Sequence, residues 1–202
     1  MTIDYLSFGL FTTAAIVLLG SPGPAIAALV AVGRDMGFKG GLKFFAGLQI
    51  GLATAAAISA AGLFSALQAV PAATIVMGIV ATSYLTYLAY KIATAPVGEK
   101  IGSNSLSFAS TPTGGFLLGV TNPKGYVAFI SLMAAHVIVP SNSSLDTAAK
   151  WLTCVIIMIV VDLIWMWLGD VIRKSNMSLN GERTLNIAMG ATVLATAFLP
   201  YF

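Results

Sequence analysis

The chain has 202 residues, 58% of them hydrophobic and 8% charged, whereas a soluble domain carries roughly a quarter charged residues. That balance excludes a water-soluble fold, because no outer face remains to be wetted. The net charge of +3 sits in short loops, where it argues for membrane orientation and against a nucleic-acid partner.

Six apolar spans follow in order, each long enough for the roughly 20 residues a bilayer requires. The expected fold is an all-α, polytopic membrane protein in one transmembrane domain over residues 1–202. The first span runs from about Ile3 to Val32. No Lys or Arg precedes it, and its early charge is Asp4. Ala25-Ile26-Ala27 mimics a cleavage site, but the apolar run continues past it, so a retained helix is expected. At about 1.5 Å per residue this span would measure about 45 Å, longer than the roughly 30 Å hydrocarbon core. A break inside it, at Gly20-Ser21-Pro22-Gly23-Pro24, is therefore expected.

The second span covers about Gly40 to Gln68 and the third about Pro71 to Ala93. Residues 95–112 are rich in Ser, Thr, Gly and Pro and read as the linker between halves 1–94 and 113–202. The fourth span, about Thr113 to Val139, carries Thr121-Asn122-Pro123-Lys124 near its middle. The fifth runs from about Ala148 to Ile172 and the sixth from about Thr184 to Phe202. Arg34, Lys39, Lys43, Lys91, Lys100, Arg173, Lys174 and Arg183 fall on one side, and Lys150 on the other. The positive-inside rule makes the basic side cytoplasmic and puts both termini outside. Three spans per half then give a 3+3 inverted repeat, with spans one and four broken. Met77-Gly78 against Met189-Gly190 is a further modest sign of repetition.

Proline removes a backbone donor and clashes with the preceding turn. In lipid such a break is tolerated only where protein or a watery cavity satisfies the freed groups. Paired breaks in two halves point to a transporter's binding site. Ser21, Pro22, Gly23 and Pro24 are thus candidate substrate-binding residues, with Ser21 where an N-cap would stand. The new helix start after the break suits a carboxylate. The alternative is a plain kink.

Asn122, Pro123 and Lys124 form the second candidate group. Lysine at that depth costs at least roughly 2.5–3.5 kcal/mol unless paired or hydrated, so it should face the interior. It would bind a substrate carboxylate or sit in a fixed ion pair. Its natural partner is Asp162 in the fifth span, the deepest acid. A carboxylate there suits proton exchange in a coupled carrier and equally suits an ammonium group.

Gln49 either lines a polar cavity or bridges helices, and Thr82-Ser83-Tyr84 reads as bridging. His136 reads as a headgroup neighbour, Asp170 as solvated, and Trp151, Trp165 and Trp167 as interface or packing residues. Cys154, the single cysteine, reads as a small buried apolar side chain. It excludes an internal disulfide, a thiolate zinc cluster and a dithiol cycle. No cofactor and no metal is expected. Gly47 with Gly51, and Gly115 with Gly119, each put two glycines on one face. They suit packing within the chain and leave a homodimer open.

The chain resembles the LysE/RhtB-type amino-acid exporters over nearly its whole length, and more closely their homoserine/threonine efflux branch. The residues that carry the resemblance are Ser21-Pro22-Gly23, Gly47-Leu48-Gln49, Gly51-Leu52-Ala53 and Gly78 followed by Tyr84-Leu85. Thr121-Asn122-Pro123-Lys124 and Val161-Asp162 complete it. It implies a six-helix carrier of the bacterial inner membrane that exports amino acids or close relatives by proton antiport. One departure stands out. Where relatives carry an aromatic-Pro-Gln-aromatic stretch, this chain reads Leu132-Met133-Ala134-Ala135-His136.

Three other readings compete. An exporter of a metal or another cation lacks a second deep carboxylate, paired histidines and a cysteine pair. A membrane enzyme lacks a nucleophile beside a base. A non-transport membrane subunit gives no reason for deep charges such as Asp162 and Lys124.

Overall fold

The computed structural model describes residues 3–62, 111–175 and 178–198, with Ile79, Ser83, Thr86, Tyr87, Ala89, Tyr90, Ala93, Thr94 and Val97. Met77-Gly78, Thr82, Tyr84-Leu85, Lys91, the second span beyond Gly62 and residues 98–110 lie outside the described residues, as does the sixth span beyond Phe198. The regular elements among the described residues are helices. Two of them, Pro24–Ala60 and Ser143–Lys174, are long and apolar enough to cross a membrane, and Tyr5–Gly20 is a shorter apolar helix.

Helix α1 (Tyr5–Gly20) starts at Asp4, whose carboxylate accepts the N–H groups of Leu6 and Ser7, each at 3.1 Å. It ends because Ser21 is extended and proline follows. Helix α2 (Pro24–Ala60) begins with proline, whose missing N–H costs nothing at that position. Inside α2, Gly37 has φ 72 and ψ 169, a region essentially reserved for glycine. The chain reverses there. Before it, Gly33 lies against Met166 and Val30 against Gly169. After it, Gly41 lies against Met166, Gln49 meets Asp162 and Ala53 meets Trp151. The expected loop carrying Arg34, Lys39 and Lys43 thus contracts to a turn on one glycine.

Helices α3 (Pro112–Thr121) and α4 (Pro123–Ala134) meet at Asn122. Helix α4 stops five residues before the expected Val139. The connection that follows is tied down by Asp146, which accepts from the N–H groups of Ile138 and Val139 at 2.5 and 2.9 Å. Asp146 also pairs with Lys150 at 2.8 Å, and Lys150 donates to the carbonyl of Met133. Helix α5 (Ser143–Lys174) begins earlier than Ala148 because Asn142 caps it, accepting from Leu145 at 3.0 Å. Helix α6 (Leu179–Phe198) likewise starts before Thr184.

Close crossings hold these helices together. A Cβ on Gly47 would lie 1.9 Å from the carbonyl oxygen of Pro112, and one on Gly51 would lie 2.3 Å from that of Phe116. Gly115 and Gly119 meet the backbone of Phe44 and Leu48 in return. Both glycine pairs are therefore used within the chain, between α2 and α3, and carry no argument for a homodimer. Gly33 and Gly169 form the same kind of crossing between α2 and α5. Around them lies a core of Phe11, Phe44, Phe129, Leu29, Leu48 and Met166, each fully buried.

Asp170 is not solvated, contrary to expectation. It is 5% exposed and pairs with Arg173 at 3.0 Å and Lys174 at 2.6 Å. Helical spacing puts both cations over the acid, and the bare face of Gly37 admits the cluster, since a Cβ there would lie 3.0 Å from Asp170 Oδ1. The basic turn of α2 at Gly37 and the basic end of α5 thus share one end of the molecule. Asp4 sits with the α4–α5 connection, donating its N–H to the carbonyl of Ile138 at 2.9 Å.

Candidate functional site

Helices α2 and α4 start side by side. Each has proline at its first position and no side-chain cap. The first intrahelical bonds run from Ala27 to the carbonyl of Gly23 and from Tyr126 to that of Asn122. The N–H groups of Ala25 and Ile26, and of Lys124 and Gly125, belong to the unpaired first turns. Gly23, Ala25, Ile26, Asn122, Lys124 and Gly125 line one pocket with a cavity volume of about 30 Å³, partly open to the surroundings.

Lys124 fills the gap between the two starts. Its ammonium donates to the carbonyl of Ser21 and, at 3.2 Å, to that of Pro22. Those oxygens belong to the segment that leaves the C-terminal end of α1, where a cation is favoured. Gly23 makes room for the lysine stem, as a Cβ there would lie 2.7 Å from Lys124 Cδ. Neighbouring carbonyls are also satisfied. Trp165 Nε1 donates to Gly20 at 3.2 Å, and Ser21 Oγ donates to Leu18 at 2.9 Å. Ser21 therefore closes α1 and does not cap α2. Gly23 holds the N-cap position, because proline at residue 24 fixes where helical geometry resumes.

Asp162 lines the same pocket and is 3% exposed. Its Oδ2 accepts from Gln49 Nε2 at 2.7 Å. The sequence left open whether Lys124 and Asp162 form a fixed pair; they do not, since the ion pairs among the described residues are Arg34–Asp35, Lys150–Asp146, Arg173–Asp170 and Lys174–Asp170. Each of the two deep charges is instead held by its own neutral partners: Lys124 by carbonyls, Asp162 by an amide.

Among the described residues, two buried oxygens have no partner: Gln49 Oε1 and Asn122 Oδ1. Burying such a group without a hydrogen bond costs about 1–3 kcal/mol. Asn122 is 4% exposed and lines the pocket, so its orphan acceptor awaits a donor there. Gln49 acts through Asp162 and is not itself a lining residue.

Of the sequence candidates, Gly23, Asn122, Lys124 and Asp162 come together at the pocket, and Gln49 stands behind Asp162. Ser21 and Pro22 reach it through their carbonyls on Lys124. Pro24 and Pro123 set the helix starts. The sequence reading missed the rest of the wall, although spacing gave a signal. Met158 lies one turn before Asp162, Ala128 one turn after Lys124, and Leu52 three residues after Gln49, each on a shared helix face. Trp165, taken as an interface or packing residue, completes the α1 end.

A pocket between helix starts, with one ammonium, one carboxylate and an unpaired acceptor, can hold a small molecule that carries both charges. A model of the LysE type translocator family matches residues 16–199. Comparison with curated proteins and with solved structures gives no match. With the family match spanning nearly the whole chain, the protein belongs to the LysE type translocator family, membrane transporters that export amino acids or similar small molecules.

Proposed function

We propose that the protein exports amino acids by alternating access, exchanging substrate for protons at Asp162. The observation that carries this reading is the shared pocket of Asp162, Asn122 and Lys124 between two uncapped helix starts. The N–H groups of those starts and the remaining donor of Lys124 bind the substrate carboxylate. The ammonium group goes to Asp162 and to the orphan oxygen of Asn122. Gln49 holds one carboxylate oxygen and leaves the other for an ammonium or a proton. The two compete for one site, so a proton taken from outside drives off the substrate, and release of that proton inside readies the site again.

The reading includes a 3+3 inverted repeat, halves 1–94 and 113–202, in which α1 with the start of α2 forms a broken first span and α3 with α4 a broken fourth. Contacts support it. The two breaks touch through Lys124, and the second and fifth spans touch through Gln49 and Asp162. The first span crosses the fifth at Gly33 and Gly169, and the fourth crosses the second at Gly115 and Gly47. Exchanging the halves maps each set of span pairs onto itself.

The basic residues Arg34, Arg173 and Lys174 gather at the Gly37 end and Asp4 at the other, which supports a cytoplasmic Gly37 end and an outward N-terminus in the bacterial inner membrane. A metal reading is disfavoured, because the neighbours of Asp162 are an amide and an ammonium, which do not chelate.

Purified protein in liposomes loaded with amino acids tests the proposal. An imposed proton gradient should drive efflux of at least one of them above a protein-free control. No gradient-driven efflux across a full panel contradicts it.

A further inference from the structure

We propose that the transported amino acid is neutral and carries an aliphatic side chain. This rests on the exporter reading and narrows the substrate of the same site. Among the described residues, the polar side chains of the pocket wall are Asn122, Lys124 and Asp162. A zwitterion uses all three. Lys124 already gives two of its three donors to Ser21 and Pro22. Gln49 occupies one oxygen of Asp162. Asn122 Oδ1, in a residue 4% exposed, lacks a donor until an ammonium arrives. Among the described residues, no polar side chain of the wall is left over for a functional group on the substrate.

The other side chains of the described wall, Leu18, Leu19, Leu52, Ala128, Phe129 and Met158 among them, are carbon and one thioether. Phe129 is fully buried and Met158 is 3% exposed, so this surface is fixed by packing from behind. An aliphatic side chain placed on it loses water at no polar cost. A lysine or glutamate side chain would bring a second charge with no counter-charge in the wall. A hydroxyl resting on this surface would find no side-chain partner among the described wall residues. Valine and threonine have the same shape and differ in that one group. An apolar pocket discriminates between such a pair by about a hundredfold.

The experiment is equilibrium binding to the intact purified protein, read as competition against labelled valine, with leucine, threonine, lysine and glutamate as competitors. Valine and leucine should compete at concentrations about tenfold to a hundredfold below threonine, with lysine and glutamate weaker still. Met158→Gln, nearly equal in volume, should narrow the valine–threonine gap by giving the hydroxyl a partner. The wild-type ranking decides the matter even if that variant does not fold. Threonine matching valine, or lysine or glutamate binding tightest, overturns the aliphatic assignment while leaving amino-acid export standing. If unlabelled valine fails to displace the label and no amino acid shifts the melting curve, export of amino acids itself falls and this inference falls with it.

Discussion

Lys124 donates its ammonium to the carbonyl of Pro22 at 3.2 Å, so the start of α4 is fastened to the end of α1 across the middle of the molecule. The lysine is both lock and ligand group. Hydrogen bonds to a charged partner are worth about 1.5–3 kcal/mol. Lys124→Met keeps the stem and removes the charge, leaving two half-buried carbonyls bare. The thermal midpoint in detergent should fall by about 3–12 °C, and substrate binding should be lost. A variant with wild-type stability would show that the ammonium does not hold the two starts together.

The Gly37 turn is a backbone matter. At φ 72 and ψ 169, any other residue carries strain of about 1–3 kcal/mol. Gly37→Ala also brings its Cβ within 2.7 Å of Arg173 Nη2. Its midpoint should drop by about 2–12 °C. Gly9→Ala is the control. Nothing lies within 4 Å of its added Cβ, so alanine there should be neutral or stabilising.

The α2–α3 crossing leaves no room for a side chain. Gly51→Val sets carbon against the carbonyl oxygen of Phe116, where even a Cβ would be at 2.3 Å. Overpacking costs about 1–3 kcal/mol, occasionally more, and here the neighbour is backbone, which cannot swing aside. Folded, monodisperse protein should be sharply reduced in size-exclusion chromatography. Normal yield would mean that the helices cross elsewhere.

Asp4 supplies a pH signature at the outer end. The N–H of Ser7 chiefly, with the Ser7 hydroxyl, the N–H of Leu6 and the nearby His136, holds its carboxyl below the usual range against a small effect of burial. The folded value lies below the unfolded one. The cap's contribution is therefore complete above about pH 4 and is lost as pH falls through the folded value. Between pH 5 and pH 3 the wild-type midpoint should fall further than that of Asp4→Asn, whose amide cannot titrate. Equal falls would show that the cap does not form.

How much of this was legible in the sequence differs from residue to residue. The helix starts at Pro24 and Pro123 were legible, because proline suits a first helical position and little else inside an apolar run. The facing glycine pairs were legible as close-packing faces, and the choice of partner was not, since spacing on one helix says nothing about the other. Ser21 was misread for a local reason. A serine between two helices can serve either end, and its hydroxyl took the carbonyl of Leu18. Asp162 and Lys124 were found by the cost of charge in an apolar run. Their partners, Gln49 and the carbonyls of Ser21 and Pro22, lie more than a hundred residues away, where no sequence pattern reaches. The loop expected around Lys39 shrank to Gly37, because one glycine in a restricted conformation suffices to reverse two helices.

The orientation in the membrane is checked by a reporter fused after Phe202. With three spans in each half and the basic ends inside, it should read as external. A cytoplasmic reading would remove the inverted arrangement of the halves.

The most direct measurement is proton-gradient-driven amino-acid flux in liposomes for the wild type and Asp162→Asn, alongside the melting curve of each. Asparagine keeps the shape and a contact with Gln49 and can neither release nor carry a proton. Gradient-driven flux should vanish in a variant that remains folded. Undiminished flux from folded Asp162→Asn would place the coupling elsewhere and end the role given to this carboxylate.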